Sequence, residues 1–220
     1  MIYLIGAPPR CGKTTLAKKM SKKTKIPWIS CDTLDSITQT LTAKENWAKK
    51  FPYTCLRRTK GNSRNNDVFY NTYSPAKIVS VLNKQAKAVH TAIDVVIACE
   101  ISDGNDYIIE GYHIVPDFVQ KMIKKHGKQN IKVVFLTKFN ADKFAKDVRK
   151  STTPNDWLLV LTKKQETFVK VGKMVSEYSK YFEREAKKFG FITVNTDENF
   201  NKQIDKATKY LLVQNGKVVE

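Results

Sequence analysis

The sequence predicts an α/β fold: a three-layer α/β/α sandwich in which a five-stranded parallel sheet lies between two layers of helices. Apolar segments of four to six residues alternate along the chain with longer segments of helical periodicity. The apolar segments are largely Ile, Val and Leu, as is usual for strands covered on both faces. Because parallel strands need crossover connections, this alternation favours helices on both sides of one sheet.

The first predicted strand, residues 2–5, leads directly into a glycine-rich segment at residues 6–14, which we call the Gly-rich loop. Its sequence, Gly6-Ala7-Pro8-Pro9-Arg10-Cys11-Gly12-Lys13-Thr14, matches GxxxxGK[ST] in full, and a helix is predicted over about 13–23. Backbone N–H groups of such a loop surround a phosphate chain, and the helix N-terminus adds a positive dipole. Lys13 is expected to reach the β- and γ-phosphates, and the Thr14 hydroxyl to ligate Mg²⁺. The predicted nucleotide-binding residues are Gly6, Arg10, Cys11, Gly12, Lys13, Thr14 and Thr15.

The four cysteines are widely spaced and form no CxxC pair, so neither a zinc site nor a disulfide framework is indicated. Reduced thiols and a cytoplasmic location are expected. Cys11 lies in the Gly-rich loop, where either its alkylation blocks nucleotide binding or its side chain points away and is inert. No apolar run approaches the roughly 18 residues that a transmembrane helix requires, so no membrane partner is expected.

The second predicted strand, residues 26–30, ends at Cys31-Asp32, before a helix predicted over 33–47. Ligands of open α/β sheets bind at the carboxyl ends of the strands. Asp32 is therefore a candidate to accept the proton of an acceptor hydroxyl or to hold Mg²⁺ through water. The alternative is that Asp32 caps the following helix, and Asp35 competes with it for either role.

Residues 51–74 are polar, aromatic and irregular, and a loop of this length is usually functional or mobile. Arg57, Arg58 and Arg64 fall here and are half of all the arginines in the chain. Their concentration predicts recognition of an acceptor that carries a phosphate or a carboxylate. The neighbouring aromatic residues either stack bases or form a small core: Tyr53, Phe69, Tyr70 and Tyr73.

The remaining pattern supplies three more strands and their helices. A helix begins at Ser74-Pro75 and runs to about residue 100, although the β-branched stretch 93–98 leaves a strand open. The later predicted elements are strands 107–111, 131–136 and 191–194, helices 116–126, 140–150 and 200–213, a helix start at 152–156, a helical stretch to 188 with a break near 162, and a weak Asn-Gly hairpin at 213–217.

Two further charged positions follow strands. Glu110 ends the third strand, where it is expected to orient the Mg²⁺ shell or the attacking group, or else to form a salt bridge at the rim. Arg149 lies on a basic helix after the fourth strand, either closing over the transferred phosphoryl group or facing solvent. His113 is expected to be an exposed loop residue, and the three histidines form no metal-binding cluster.

The net charge is unusual, with 39 basic residues against 21 acidic ones and a formal charge of +18. Such a field favours anionic partners, including nucleic acid and phosphorylated metabolites. Only six of the basic residues are arginines, and a lysine excess is equally typical of a solvated surface or a compositional bias.

Together these segments resemble the P-loop kinases of small molecules and nucleotides (the nucleoside/nucleotide kinase-like P-loop NTPases), and most of all the 2-phosphoglycerate kinase-like proteins. The likeness spans most of the chain. It is carried by residues 4–17, by 26–30 with Asp32-Thr33-Leu34, by 108–111 with Pro116, and by Asn155-Asp156-Trp157-Leu158.

The resemblance implies an ATP- and Mg²⁺-dependent phosphotransferase with one domain over 1–220, a substrate-binding insertion at about 44–75 and a lid at about 140–156. It implies that Gly12, Lys13 and Thr14 bind phosphate and Mg²⁺, that Asp32 faces the acceptor, and that Arg149 is a lid arginine. The Lys-rich surface and a lid with a single arginine depart from the family pattern.

The leading functional hypothesis is a kinase that transfers the γ-phosphate of ATP to a hydroxyl of a small anionic acceptor. The alternatives are a polynucleotide 5′-hydroxyl kinase, and a switch or binding module driven by nucleotide hydrolysis, although no NKxD sequence is present. The choice between ATP and GTP and the oligomeric state stay open. Predicted roles are catalytic for Lys13, Asp32 and Arg149, substrate-binding for Asp32, Arg57, Arg58, Arg64 and Glu110, and metal-ligating for Thr14, Asp32 and Glu110.

Overall fold

The core of the protein is a sheet of five parallel strands. The computed structural model describes residues 1–58, 64–152, 156–214 and 217–218. The strands of the sheet are β1 (Ile2–Gly6), β2 (Trp28–Ser30), β3 (Tyr107–Gly111), β4 (Ile131–Thr137) and β5 (Thr193–Asn195). Their order is β2-β3-β1-β4-β5, so β1 is central and pairs with both β3 and β4. The predicted five-stranded parallel sheet is confirmed.

Helices cover both faces of this sheet. They are α1 (Lys13–Thr24), α2 (Cys31–Thr40), α3 (Trp47–Lys50), α4 (Pro52–Arg57), α5 (Asn66–Thr72), α6 (Pro75–Ser102), α7 (Pro116–His126), α8 (Ala141–Val148), α9 (Trp157–Val160), α10 (Gln165–Lys188) and α11 (Phe200–Leu212). Helices α1 and α11 pack together on one face, whereas α6, α7 and α10 pack together on the other. This is the predicted three-layer arrangement. Within the described ranges, no helix combines the length and apolar character needed to cross a bilayer.

Strand β1 shows why the Gly-rich loop has a rigid base. Ile2, Leu4 and Ile5 have no exposed surface, because β1 has a strand on each side and helices on both faces. Each such side chain contributes roughly 1.5–3 kcal/mol on burial. The strand therefore fixes the position at which the Gly-rich loop begins.

Helix α2 is shorter than predicted and ends at Thr40 rather than near residue 47. Hydroxyls in its last turns bond back to carbonyl oxygens four residues earlier, as Thr38 does to Leu34 and Thr40 to Ser36. Such bonds compete with helix continuation. Leu41, which follows, is 82% exposed and gives no apolar contact that would extend the helix.

The prediction of an irregular segment over 51–74 is wrong for most of its described residues, because α4 and α5 lie there. Pro52 starts α4, and the Asn65 side chain accepts a hydrogen bond from the Val68 N–H at the start of α5. Both are ordinary helix-start devices. Lys60, Gly61 and Asn62 of the predicted loop lie outside the described residues.

The remaining ambiguities are decided in favour of helix. Residues 93–98 belong to α6, in which Ile93 and Ile97 are fully buried one turn apart. The predicted break near residue 162 is confirmed as the gap between α9 and α10. Strands β6 (Val213–Gln214) and β7 (Lys217–Val218) pair antiparallel, in agreement with the hairpin prediction. The Asn-Gly pair between them lies outside the described residues. So do residues 153–155 of the predicted helix start at 152–156.

Candidate active site

Two cavities meet at the Gly-rich loop. One, of about 460 Å³, lies between the loop, α2, α4 and α6, and we call it the α2 cavity. The other, of about 690 Å³, lies between the loop, α1, α8 and α11, and we call it the α8 cavity. The residues that line both are Arg10, Lys13 and Thr14. A group held at these three residues is therefore accessible from either side.

The Gly-rich loop has the backbone geometry that an anion site requires. Gly12 has a φ of 101°, and a Cβ there would lie 2.8 Å from the Phe200 ring. Gly12 also precedes α1, which begins without a side-chain cap, so its first N–H groups point toward the loop. The Lys13 Nζ donates to the Pro8 carbonyl oxygen at 3.1 Å and so reaches back across the loop.

Thr14 and Glu110 form a hydroxyl–carboxylate pair at the end of the sheet. The Thr14 hydroxyl donates to Glu110 Oε1 at 2.8 Å, and Glu110 is only 2% exposed at the end of β3. Hard oxygen donors such as these fit Mg²⁺, which keeps most of its coordination for water and phosphate oxygens. In the described part of the chain no group of three or more His, Cys, Asp or Glu residues is arranged for a metal ion. The pair therefore suits a cation that arrives with a nucleotide.

Two carboxylates on α2 face the α2 cavity in different environments. Asp32, in the first turn, is exposed, and its N–H bonds to the Ser30 hydroxyl. Ser30 is therefore the helix cap, and the capping alternative for Asp32 does not apply. Asp35 is largely buried, and its Oδ2 accepts hydrogen bonds of 2.9 Å from Gln39 and Gln85. Burial raises the pKa of Asp35 to about 6.

The three arginines of the 51–74 segment are placed differently. Arg57 is 6% exposed, bonds through Nη1 to Asn66 Oδ1, and lies 5.3 Å from the Trp157 ring centre. Arg64 is exposed and lines the α2 cavity together with Arg57. Arg58 instead stacks on Trp47 at 4.6 Å and is absent from the lining of either cavity. Of the three, only Arg57 and Arg64 therefore present their side chains to the α2 cavity.

The aromatic residues of this segment form a small core. Phe69 lies 5.8 Å from Tyr53, 5.0 Å from Tyr70 and 5.3 Å from Tyr73, with its ring inclined to each of theirs. Phe69 and Tyr70 are nearly fully buried. The rings of Phe69 and Tyr70 are therefore covered and cannot stack with bases, which favours the small-core alternative for this segment.

The prediction that His113 is exposed is wrong. Its side chain has no exposed surface, and its Nε2 lies 3.9 Å from Asp35 Oδ2. Burial holds the pKa of His113 well below its usual range, with further contributions from His90 and Lys13. The segment after β3 that carries His113 turns inward beneath α2, which no local feature of the sequence indicates.

The structure favours the inert alternative for the Cys11 side chain, and it places Arg149 in solvent at the end of α8. The Cys11 side chain is fully buried, and burial raises the pKa of its thiol to about 12, so the inert alternative holds. Only the backbone of Cys11 faces a ligand in such a loop. Arg149 is exposed at the end of α8, its Nε donates to the Ala145 carbonyl oxygen, and the residues that line the two cavities do not include it.

Several cavity residues were missed by the sequence analysis. Lys138 and Phe200 line the α8 cavity, with the Lys138 ammonium 5.5 Å from the Phe200 ring centre. Lys138 directly follows β4, so its position at a strand end was an available signal. Gln85 of α6 lines the α2 cavity, and its amide nitrogen also donates to the Thr54 hydroxyl at 3.0 Å. No sequence pattern marks such a residue within a long helix.

Comparison with known proteins places this geometry in context. No protein-family model matches the chain. The sequence is 27% identical over 127 residues to mevalonate-3-phosphate 5-kinase from Thermoplasma acidophilum, covering 57% of each protein. It is 24% identical over 204 residues to 2-phosphoglycerate kinase from Pyrococcus horikoshii, covering 90% of this chain and 60% of that protein. The chain thus spans about 57–60% of the length of the curated relatives it matches.

Solved structures agree on the architecture. Shikimate kinase from Bacteroides thetaiotaomicron aligns over 97% of this chain and 99% of its own, with a TM-score of 0.52 and 16% identity. A sugar kinase from Janibacter aligns over 96% of this chain and 92% of its own, with a TM-score of 0.53 and 12% identity. The chain has the fold of the P-loop kinases. Residues 6–14 correspond to the P-loop of this fold, and the α2 cavity and the α8 cavity meet there at Lys13.

Proposed function

We propose that the protein is an ATP- and Mg²⁺-dependent kinase that phosphorylates a hydroxyl group of a small anionic molecule. The supporting observation is that two cavities share Arg10, Lys13 and Thr14. Phosphoryl transfer needs a donor and an acceptor on opposite sides of the transferred group, roughly in line. Two separate cavities that meet at the P-loop lysine suit this reaction better than hydrolysis by a single-site switch.

The α8 cavity is the proposed donor site. The uncapped N-terminus of α1 and Lys13 bind the phosphate chain, and Phe200 offers an aromatic face for the base. Thr14 and Glu110 hold Mg²⁺, whose charge helps to neutralise the phosphates when it is bound. Charge neutralisation and positioning account for most of the catalysis in this reaction class.

The α2 cavity is the proposed acceptor site. Arg57 and Arg64 on one wall suit a phosphate or carboxylate, and Asp32, exposed on α2, suits the reacting hydroxyl. Both curated relatives are kinases whose names specify phosphorylated acceptors, which supports an anionic one here. On this proposal residues 44–75 are the substrate-binding insertion, and residues 140–156 are the lid on the donor side.

The experiment uses ATP labelled at the γ-position, Mg²⁺ and purified protein. One acceptor pool holds phosphorylated and carboxylated hydroxy compounds and nucleosides, and the other holds 5′-hydroxyl oligonucleotides. Label is expected on a compound of the first pool, and Lys13→Ala is expected to reduce transfer by about 100-fold or more. Lys22→Ala is the matched control, because Lys22 is an exposed lysine of the same helix and is absent from the lining of either cavity.

The other outcomes each contradict the proposal. Label on oligonucleotides alone would make the protein a polynucleotide kinase and give the +18 charge a role. Release of inorganic phosphate at a rate that neither pool changes would indicate a nucleotide-hydrolysing module.

A further inference from the structure

We propose that Arg10 is the catalytic arginine that stabilises the transferred phosphoryl group, and that Asp156 is the positioning residue that holds it there. The assignment rests on the proposed phosphotransfer function. It follows from four observations: the place of Arg10 between the cavities, its backbone conformation, its buried partner, and the position of Arg149.

Arg10 is the only arginine among the residues that line both cavities in the described part of the chain. The other two shared residues, Lys13 and Thr14, already have phosphate and cation roles in such a loop. A guanidinium presents five N–H donors in a planar fork that matches phosphate oxygens. Arg10 is therefore placed to contact oxygens of a group that passes from one cavity to the other.

The backbone at Arg10 is held in an unusual conformation. Its φ is 65°, in the left-handed region that side chains other than glycine rarely adopt. Such conformations cost on the order of 1–3 kcal/mol and persist where the surroundings enforce them, commonly at active sites. From this backbone position the Arg10 side chain reaches Asp156.

The partner of Arg10 is a buried carboxylate. Arg10 Nη2 lies 2.8 Å from Asp156 Oδ2, and the Asp156 side chain is only 1% exposed. Asp156 Oδ1 also accepts the Leu158 N–H at 3.1 Å, which caps α9 and fixes the carboxylate. The ion pair with a fixed, buried carboxylate holds one nitrogen of the guanidinium in place, and the remaining N–H groups can serve a ligand.

Helix α9 is itself anchored to the insertion. Asn66, which is fully buried, donates through Nδ2 to the Trp157 carbonyl oxygen at 3.3 Å and to the Thr162 hydroxyl at 2.9 Å. The Asn66 N–H donates to the Leu161 carbonyl oxygen at 3.0 Å. Because both ends of the α9 segment are held, Asp156 is a fixed support and not a mobile surface group.

Arg149, the arginine that the resemblance assigns to this task, lies elsewhere. It is exposed and bonded to its own helix, and it is not among the residues that line either cavity, although Val148 beside it lines the α8 cavity. A cation that is already oriented before the reaction stabilises developing charge without reorganisation, which is the more effective arrangement. Arg10 has this property in the structure described here.

The test compares Arg10→Ala, Arg10→Lys, Asp156→Asn and Arg149→Ala. Arg10→Ala is expected to lower kcat by about 100- to 1,000-fold while changing the KM for ATP much less. Arg10→Lys retains the charge but not the fork and is expected to recover part of this loss. Asp156→Asn is expected to lower kcat by a smaller factor without raising the KM for ATP, and Arg149→Ala to lower kcat much less than Arg10→Ala does.

Removing Arg10 leaves Asp156 buried without its cation, which can destabilise the protein. The double variant Arg10→Ala with Asp156→Asn removes that penalty and is expected to regain thermal stability but not kcat. Recovery of kcat in the double variant would show that Arg10 acts only in folding and would overturn the assignment.

A second readout does not depend on the acceptor. Aluminium fluoride with ADP and Mg²⁺ mimics the phosphoryl group in transfer, so the wild type is expected to bind ADP more tightly when it is present. Arg10→Ala is expected to lose this increment, and Arg149→Ala to keep it. An increment that survives in Arg10→Ala, or that is lost only in Arg149→Ala, would overturn the assignment even if kinase activity is established. A wild type that transfers no label and shows no increment would refute both the assignment and the proposed function.

Discussion

The α8 cavity, the donor side of Lys13 on the proposed function, takes about half of its lining from one continuous stretch of chain, whereas the α2 cavity, the acceptor side, is assembled from seven separate stretches. Residues 6–18 supply the loop, the helix N-terminus and most of the polar groups of the α8 cavity. The α2 cavity needs α2, α4, the middle of α6 and Trp157 together. A continuous stretch can be recognised as a motif, but an assembled wall exists only after the chain has folded.

The two cavities also differ in the interactions that stabilise their walls. The P-loop is supported from beneath by buried apolar strands, chiefly β1. We call the side of the α2 cavity formed by Arg57 and Trp157 the acceptor wall, after the proposed role of that cavity. It depends on buried polar contacts such as those of Asn66. Removing one partner of such a contact leaves the other buried without a hydrogen bond, which costs free energy of folding. Damage to the acceptor wall is therefore expected to leave the donor site working, and the predictions below test this.

The largest effect is expected for Asn66→Ala. It leaves Arg57 and the Thr162 hydroxyl without a buried partner and should lower the free energy of unfolding by about 2–4 kcal/mol. Displacement of Arg57 and Trp157 should raise the acceptor KM by about tenfold or more. Thermal unfolding and steady-state kinetics measure the two effects, and the ADP dissociation constant should stay unchanged.

Asn105→Ala serves as the matched control, because Asn105 is an exposed asparagine before β3, at the opposite end of the sheet. If Asn66→Ala weakened ADP binding as much as acceptor binding, the two sides would not be independent and the comparison would fail.

A smaller effect is expected for Asp35→Asn. The pKa of Asp35 is about 6 in the folded protein, above its value of 3.8 in the unfolded chain, so its contribution to stability is greatest at low pH and is lost as the pH rises through 6. The melting temperature of Asp35→Asn relative to the wild type should therefore rise between pH 4 and pH 7.5, by on the order of a few degrees. Melting curves between pH 4 and pH 7.5 measure this difference in melting temperature. A difference that does not vary with pH would contradict the raised pKa of Asp35.

The smallest effect is expected from alkylation. Because Cys11 is buried with a pKa of about 12, iodoacetamide at pH 7.5 should modify the exposed Cys99 first and leave Cys11 and ADP binding intact. Peptide mass spectrometry of the native protein identifies the modified sites, with urea-unfolded protein as the control in which all four cysteines react. Modification of Cys11 at the rate of Cys99, prevented by ADP, would show that the loop opens.

The sequence was sufficient for the sheet, its five strands and the P-loop, because each depends on short-range patterns. The break between α9 and α10 and the start of α6 at Ser74-Pro75 were predicted for the same reason. The predicted helix over 33–47 is longer than α2. The apolar spacing of these residues carries no information about the hydrogen bonds from threonine hydroxyls to carbonyl oxygens of the preceding turn, such as that from Thr38 to Leu34.

The acceptor wall was predicted only in its residue types. The sequence indicates arginines near residue 57, but it does not indicate that Arg57 packs among aromatic rings at the α2 cavity. Nor does it indicate that Arg58 lies on Trp47 and lines neither cavity. The burial of His113 and the ion pair of Arg10 with Asp156 join residues far apart in sequence, and no local pattern encodes such a contact.

The central position of β1 also has a consequence for synthesis. Ile2 pairs with Tyr107 on one side and with Ile131 on the other, so β1 has no partner strand until synthesis has reached β3 at residues 107–111. At about 5–20 residues per second this interval lasts several seconds or longer, during which an apolar segment waits unpaired. The Gly-rich loop, although it directly follows β1, is thus among the later features that the nascent chain can complete.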